Sequence, residues 1–299
     1  MSNVTIKNIQ DETTKKRGMT VGEFFSKYSI ALILVGLVIL LSVLTGGVFL
    51  RINNLLNVLR QVSVIGIIAL GVTMVIITGG IDLSSGAVVA IVSVVVASFT
   101  QEVDAADRLF QGGAPWSILP VVLVGLAVGA FAGLINGTLV AKAKIPAFIA
   151  TLGMMTFARG WAFIYSDGRP RGSLIDSFEW IGQGAFLGVP NPAWVLLICV
   201  LATHIILKHT LWGRYTYALG SNMQAAVVSG ISVNRYLIMV FVYAGFLSAV
   251  SSIVLTSRIG SGQPGLGIMY ELDAIAASVI GGTSLSGGIG SAGGALVGA

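Results

Sequence analysis

Charged residues are scarce in this sequence: they make up only 10% of the chain, whereas hydrophobic residues make up 55%. Soluble globular domains carry about 25% charged residues. A chain with so little charge cannot cover a water-facing surface, and its mean hydropathy of +0.93 indicates that most of its outer surface faces lipid. The composition therefore excludes an ordinary water-soluble fold.

The small numbers of cysteines and histidines and the absence of a Gly-Lys pair exclude further classes of function. The single cysteine, Cys199, lies in an apolar run, so the sequence offers no disulfide framework and no cysteine-rich metal cluster. A Gly-Lys pair occurs nowhere, so the phosphate-binding motif G-x-x-x-x-G-K-[ST] is absent and we predict that the chain is not an enzyme. The two histidines, His204 and His209, do not share a helix face well. We therefore predict no metal site and no cofactor.

Positive charge is concentrated at the N-terminus. Five of the 17 Lys and Arg residues lie in residues 1–28, ahead of the first apolar run. We interpret residues 1–28 as a cytoplasmic basic tail, because cytoplasmic segments of membrane proteins are enriched in Lys and Arg. With the loops assigned by parity, ten basic residues fall on the cytoplasmic side and seven outside, which favours this orientation. The dispersed charge does not indicate a nucleic-acid partner.

The apolar runs predict an all-α, polytopic transmembrane helical bundle over residues 29–299, with some short, broken helices. One span needs about 20 apolar residues. The nine predicted spans are 29–50, 62–79, 83–99, 117–141, 146–165, 191–209, 234–257, 271–285 and one that opens near residue 289. The last apolar run is unfinished at Ala299, so we expect that the C-terminal span is truncated.

Small residues form a stripe along the predicted fourth span. Gly125, Gly129, Gly133 and Gly137 recur every four residues, which is the small-xxx-small pattern of close helix contact. We predict that this stripe packs against another helix. The sequence does not say whether that helix belongs to the same subunit.

A glycine-rich motif occurs twice. Residues 79–86 (GGIDLSSG) resemble residues 281–288 (GGTSLSGG), and each copy follows a predicted span that runs inward. Glycine-interrupted hydrophobic segments at corresponding places in two halves point to the transport path of a transporter. The alternative is that two tight turns use the same turn residues.

Ionisable residues near predicted spans are candidates for a transport path. Asp82 is the only charged residue between Arg60 and Glu102, and Glu271 and Asp273 open the predicted eighth span. A charge at membrane depth is costly and is therefore a functional candidate, but each carboxylate can instead cap the start of a helix. The candidate path or helix-cap residues are Asp82, Ser84, Arg159, Glu271, Asp273, Thr283 and Ser284.

A short helix is predicted within the cytoplasmic loop 213–232. Ser221 and Gln224 have capping-box spacing, and Gly230 can end the helix that they start. A two-turn helix is not stable alone, and a small apolar face in a water-facing loop is typical of docking into a partner's groove. The predicted face consists of Met223, Ala226, Val227 and Gly230. The alternative is a helix that rests on its own bundle or on lipid headgroups.

Several motifs together resemble the permeases of monosaccharide ABC importers, which serve ribose, galactose, xylose and related sugars. The matching stretches are TGGIDLS at 78–84, TLGMMT at 151–156 with RG at 159–160, DGRP at 167–170, YELDAIAA at 270–277 and GGTSLSGG at 281–288. The resemblance implies a homodimer of roughly ten-span subunits in the inner or plasma membrane. It also implies two cytoplasmic ATP-binding subunits and an external sugar-binding protein as partners.

The resemblance places the ATPase contact in the loop at 220–231. The implied ATPase-coupling residues are Leu219, Gly220, Ser221, Asn222, Met223, Ala225, Ala226, Ser229 and Gly230. The leading hypothesis is therefore the membrane subunit of an ATP-driven sugar importer. The rival is a proton-coupled secondary transporter that uses Asp82, Glu271 and Asp273 as a relay. An exposed docking helix favours the importer, since a secondary transporter needs no such surface.

Overall fold

The structure is a computed structural model that describes residues 21–106, 108–110 and 114–299, with side chains described from residue 32 onward. Most of the basic tail predicted for residues 1–28 lies outside the described residues. The helices are α1 (Val21–Leu44), α2 (Ile52–Ile77), α3 (Ser85–Thr100), α4 (Ile118–Ala141), α5 (Ala147–Tyr165), α6 (Asp176–Gln183), α7 (Asn191–His209), α8 (Leu211–Ser221), α9 (Met223–Val228), α10 (Val233–Ile259), α11 (Tyr270–Ile280) and α12 (Ala292–Gly298).

Five of these helices are long and apolar enough to cross a membrane, namely α2, α4, α5, α7 and α10. The prediction of an all-α membrane bundle is therefore confirmed at this level. The other predicted spans appear as the apolar segment Leu32–Leu44 of α1, the 16-residue α3, the 11-residue α11 and the seven-residue α12. By length alone, the described helices do not give nine spans.

Three predicted spans have wrong boundaries. The first, 29–50, corresponds to α1 (Val21–Leu44), which ends early because the chain turns at Gly46 and Gly47, with φ of +59° and +83°. Helix α2 begins at Ile52, whereas the prediction began at 62. The prediction was late because the first turns of α2 carry polar residues such as Asn53 and Asn54, which lower the local hydropathy. Helix α11 ends at Ile280 rather than at 285, because the chain turns at Gly282, which has φ of +90°. Hydropathy measures apolar content and does not detect these effects.

Helix α10 is the centre of the bundle and packs against α2, α3, α4 and α6. Two of its serines form interhelical hydrogen bonds. The Ser251 hydroxyl donates to the Val64 carbonyl of α2 at 2.8 Å, and the Ser252 hydroxyl donates to the Val89 carbonyl of α3 at 2.6 Å. Such bonds hold helices together where lipid removes the hydrophobic driving force between them.

The glycine stripe of α4 lies mainly against α10 of the same chain. A Cβ at Gly137 would lie 2.8 Å from the Cα of Ile238, and a Cβ at Gly129 or Gly133 would overlap a backbone carbonyl of α10. At Gly125 it would lie 2.7 Å from a side-chain carbon of α3. The stripe therefore has its packing partners within the subunit.

The segment between α5 and α7, where the apolar runs predict no span, has secondary structure of its own. It contains α6 and a hairpin in which β1 (Ala185–Phe186) pairs antiparallel with β2 (Val189–Pro190). The two hairpin turn residues both have positive φ, +54° at Leu187 and +77° at Gly188, as a tight two-residue turn requires. This segment covers one end of the bundle, where α6 packs on α10.

Candidate functional site

Both copies of the repeated glycine motif begin as the C-terminal cap of a helix. At the end of α2, Gly79 has φ of +80° and the next N–H donates to the carbonyl five residues before it at 3.1 Å. At the end of α11, Gly282 has φ of +90° and the equivalent bond measures 3.0 Å. Both are Schellman caps, and Gly79 therefore corresponds to Gly282 rather than to Gly281. The two segments therefore share a helix-stopping turn, but the turns are offset by one residue from the match between the two sequences.

The two glycine-rich segments also touch each other. The Gly288 N–H donates to the Ile77 carbonyl at 2.8 Å, and a Cβ at Gly287 would lie 3.2 Å from the backbone nitrogen of Gly79. The end of α2 and the turn that precedes α12 thus meet through their backbones. Sequence similarity gave no indication of this contact.

Asp82 lies in the turn that leads into α3 and is only 3% exposed. Its Oδ1 accepts the Ser84 N–H at 2.8 Å and the Ser84 hydroxyl at 2.6 Å. The Asn136 side chain of α4 donates to the Ser84 hydroxyl oxygen at 2.9 Å. The carboxylate therefore closes an Asx turn immediately before α3. It does not cap the helix, because the N-cap residue is Ser84 and no side chain makes the cap hydrogen bond there. Asn136 fixes this turn to α4.

Thr151 of α5 holds the same turn from the other side. Its hydroxyl oxygen accepts the Leu83 N–H at 3.1 Å. Its single hydrogen has two main acceptors within reach, the Ile81 carbonyl at 3.1 Å and the Ala147 carbonyl of its own helix at 2.9 Å. The side chain is fully buried. Sequence reasoning assigned no role to Thr151 or to Asn136, although each is a polar residue in an apolar helix, and that was the available signal.

Arg159 and Glu271 form a second group beside α3. The Arg159 guanidinium donates through Nη1 to the Pro264 carbonyl at 2.9 Å and also to the Leu266 carbonyl. A Cβ at Gly86 would overlap Oε2 of Glu271, so this glycine makes room for the carboxylate. Among the described residues no ion pair within 4 Å joins Arg159 to Glu271. The group connects α5, the loop before α11, and α3 through the Arg159 hydrogen bonds and the contact at Gly86.

The other candidate path residues lie elsewhere. Asp273 is exposed on α11 and lines a cavity of about 430 Å³ with Gln61, Arg258 and Tyr270. Thr283 is 3% exposed, and its hydroxyl has no hydrogen-bond partner within the described part of the chain. Ser284 accepts a backbone N–H within its own turn at 3.3 Å. The structure thus divides the predicted set into separate groups instead of joining it into one site.

The predicted cytoplasmic helix begins one residue later than expected. Helix α8 continues to Ser221, and Asn222 is the N-cap of α9, where its Oδ1 accepts the Ala225 N–H at 2.9 Å. The capping box based on Ser221 is therefore wrong, because that residue is the last of the preceding helix. Gly230 has φ of +78° and follows the end of α9, in agreement with its predicted place as a helix stop.

The apolar face predicted on this helix also needs correction. Ala226 is only 4% exposed and packs inward in a cluster with Ala141, Leu219, Val233 and Leu237. The exposed apolar side chains are Met223 (44%), Val227 (58%) and Val228 (89%). Helix α9 thus packs on its own bundle through Ala226, and its exposed side consists of Met223, Val227 and Val228.

The end of α8 lies directly against the meeting point of the two glycine-rich segments. A Cβ at Gly220 would overlap the Ile77 carbonyl and lie 2.5 Å from the Gly288 nitrogen. One turn earlier, the Tyr217 hydroxyl donates to the Gly290 carbonyl at 2.7 Å. Burial raises the pKa of the Tyr217 phenol, which keeps the donor protonated. Three segments distant in sequence therefore meet at Gly220.

Residues 54–299 match the family model described as the permease component of branched-chain amino acid transport systems. The chain belongs to this family. Membership and the five candidate spans make it a multi-pass membrane permease. No solved structure matches the chain.

Curated relatives confirm the resemblance to sugar importer permeases. The ribose import permease protein of Haemophilus influenzae is 44% identical over 283 residues, which cover 93% of this chain and 84% of the relative. The galactose/methyl galactoside import permease protein of the same organism is 37% identical, with 91% and 82% covered. The fructose import permease protein of Rhizobium meliloti is 39% identical, with 90% and 74% covered.

Proposed function

We propose that this chain is the membrane-spanning permease subunit of an ATP-driven sugar importer. The observation that carries the proposal is the similarity to import permeases for ribose, galactose and fructose, each at 37% identity or more over at least 90% of this chain. The chain forms part of the translocation path, and ATP is hydrolysed on separate cytoplasmic subunits. An external sugar-binding protein delivers the substrate.

The proposed subunit forms a homodimer and has its N-terminus in the cytoplasm. Its nine membrane segments comprise the five long helices together with the apolar part of α1 and the short helices α3, α11 and α12, as part of a ten-span fold. The support for counting the short helices is that the turn after α11 meets the end of the long helix α2 through the hydrogen bond from the Gly288 N–H to the Ile77 carbonyl, so the two helices end at the same level of the bundle. Irregular backbone at membrane depth is tolerated where it is buried within protein.

The α8–α9 segment is proposed to contact the ATPase. Its outward side carries Met223, Val227 and Val228 in a short helix that cannot be stable alone. Leu219 and Ala226 face inward, so they support the helix from beneath while the three outward side chains meet the partner. Gly220 and Ser221 lie where this segment touches the ends of the membrane helices.

The carboxylates do not need to carry protons in this proposal. Asp82 accepts two hydrogen bonds from Ser84, which is a structural role at the start of α3. A proton relay would require this carboxylate to gain and lose a proton during each cycle, and each protonation would disturb the turn that it closes.

The test replaces an exposed residue of α9 with a charge and measures ATPase association. Val228→Glu is expected to leave the amount of protein in the membrane normal, because the side chain is 89% exposed, but to reduce co-purification of the ATPase subunits and ATP-dependent sugar uptake. An uncompensated charge in a protein contact is unfavourable. Leu187→Glu is the matched control, since Leu187 is a similarly exposed (79%) residue in the β1–β2 hairpin; its ATPase association should stay normal.

A third variant separates contact with the partner from folding. Ala226→Glu places the charge inside the subunit, where Ala226 packs with Leu219 and Leu237, and is expected to lower the amount of folded protein. Normal ATPase association in Val228→Glu would refute the contact surface. Absence of any ATPase subunit from the purified wild-type protein would refute the proposed function.

A further inference from the structure

A continuous series of contacts connects the α8–α9 segment to α5. The first contact is at Gly220, whose Cα lies against the Ile77 carbonyl at the end of α2. The chain then turns at Gly79 and runs directly into the buried turn at 81–84. Displacement of the α8 end therefore acts on the turn through backbone atoms over a few residues.

The buried turn has two side-chain attachments, and they differ in how freely they can move. On one side, Asn136 of α4 donates to Ser84, but α4 is fixed to α10 by its glycine stripe. On the other side, the Thr151 hydroxyl oxygen accepts the Leu83 N–H, and its hydrogen lies within reach of the Ile81 carbonyl as well as of the Ala147 carbonyl of α5. Displacement of the turn at 81–84 is therefore transmitted to the helix that can move more easily.

Of the two helices attached to this turn, α5 is the one that can move more easily. The buried share of the apolar window is 28% in both α4 and α5, so the two helices differ in packing and not in burial. A Cβ at each glycine of the α4 stripe would lie within 3.0 Å of atoms of α10 or α3, whereas added Cβ atoms at Gly153 and Gly160 of α5 would meet nothing within 4 Å. A helix with few packed neighbours moves at lower free-energy cost than one in the core. At its far end, the guanidinium of Arg159 holds the loop before α11, so motion of α5 also reaches that loop.

We propose that Thr151 is a positioning residue that links the turn at 81–84 to α5, so that displacement of the α8–α9 segment by the ATPase moves α5. This inference rests on the proposed function. One hydroxyl group thus carries the step between the α8–α9 segment and a membrane-spanning helix. Because this link consists of discrete hydrogen bonds, a substitution can break it without removing a helix.

The experiment uses the full permease assembled with its ATPase and sugar-binding protein in lipid vesicles. Thr151→Val keeps the shape of the side chain and removes the hydroxyl. ATPase association and basal hydrolysis should stay close to wild type, while sugar imported per ATP hydrolysed should fall at least about five-fold, the lower end of typical couplings between sites. Thr151→Ser, which retains the hydroxyl, should restore this ratio.

The matched control is Thr100→Val. Thr100 is also a fully buried threonine, but its hydroxyl bonds only to carbonyls of its own helix, at 2.9 and 3.2 Å. The inference is overturned if Thr151→Val keeps the wild-type ratio, if Thr100→Val lowers the ratio equally, or if Thr151→Ser fails to restore it. Should Thr151→Val not accumulate, Thr151→Ala removes the same hydroxyl with less bulk and must lower the ratio.

The same experiment distinguishes failure of this inference from failure of the proposed function. If wild-type vesicles import sugar on addition of ATP and only the Thr151 variants behave unexpectedly, the proposed function stands and the link through α5 is wrong. If wild-type vesicles import no sugar under any condition, the proposed function fails, and the inference fails with it.

Discussion

At Gly220, the addition of a single methyl group is expected to lower the stability of the fold. A methyl group at this residue would overlap the Ile77 carbonyl and lie 2.5 Å from the Gly288 nitrogen. Those two atoms are also joined to each other by a hydrogen bond of 2.8 Å. Gly220→Ala therefore pushes α8 away from the place where the end of α2 meets the turn before α12, and all the obstructing atoms belong to the backbone.

Three free-energy contributions determine the expected change in stability. Overpacking a tight contact costs about 1–3 kcal/mol. Weakening the bond between Gly288 and Ile77 adds about 0.5–1.5 kcal/mol. The greater helix propensity of alanine offsets roughly 1 kcal/mol of this. The net expectation is a loss of about 0.5–3.5 kcal/mol in unfolding free energy. The loss is not relieved by local rearrangement, because backbone atoms cannot rotate out of the way as a side chain can.

The assay is thermal unfolding of the purified permease in detergent, with Gly153→Ala as the control. Gly153 also lies inside a helix, but a Cβ there would meet nothing within 4 Å, so alanine should be neutral or stabilise by up to about 1 kcal/mol. The two substitutions are chemically identical and are expected to have opposite or clearly different effects. A Gly220→Ala protein as stable as Gly153→Ala would refute the contact at Gly220.

Two further predictions test packing and orientation. Gly129→Leu should reduce the amount of folded protein, with a cost on the order of 1–3 kcal/mol or more, because a side chain there would overlap the Gly245 carbonyl of α10; normal yield and unchanged thermal unfolding would contradict this. In a Cys199→Ser background, a cysteine replacing the exposed Ser177 should react with an impermeant thiol reagent outside intact cells, and one replacing the exposed Gln224 should not; the reverse pattern would overturn the proposed orientation.

Hydropathy located the long helices well where apolar residues fill the helix from end to end. The predicted spans 117–141 and 191–209 correspond closely to α4 (Ile118–Ala141) and α7 (Asn191–His209). It failed at α2, whose first turns are polar, and at α11, where a glycine cap stops the helix. Length and apolar content therefore predict which segments become helices, whereas helix ends depend on turn chemistry that hydropathy does not measure.

The sequence predicted the position of the short helix α9, but not the contacts that orient this helix or fix the turn at 81–84. The helical period relates residues of α9 to one another, yet it does not say which side faces the bundle, so Ala226 was assigned outward although it is buried. Asn136 and Thr151 were missed because a single polar residue in an apolar helix has no periodic pattern. Their importance arises from contacts with residues about 50 to 70 positions away, which only the folded chain brings together.

Glycine at the meeting point explains how a weak surface helix can act on the membrane helices. Helix α9 has six residues and gains most of its stability from the bundle beneath it. Because Gly220, Gly287 and Gly288 lack side chains, the end of α8 and both glycine-rich segments approach through their backbones. A backbone contact has no rotamers that could absorb a displacement. In the proposed coupling, a displacement of α9 passes from α8 to the end of α2, and a larger residue at any of these glycines would separate the segments that have to move together.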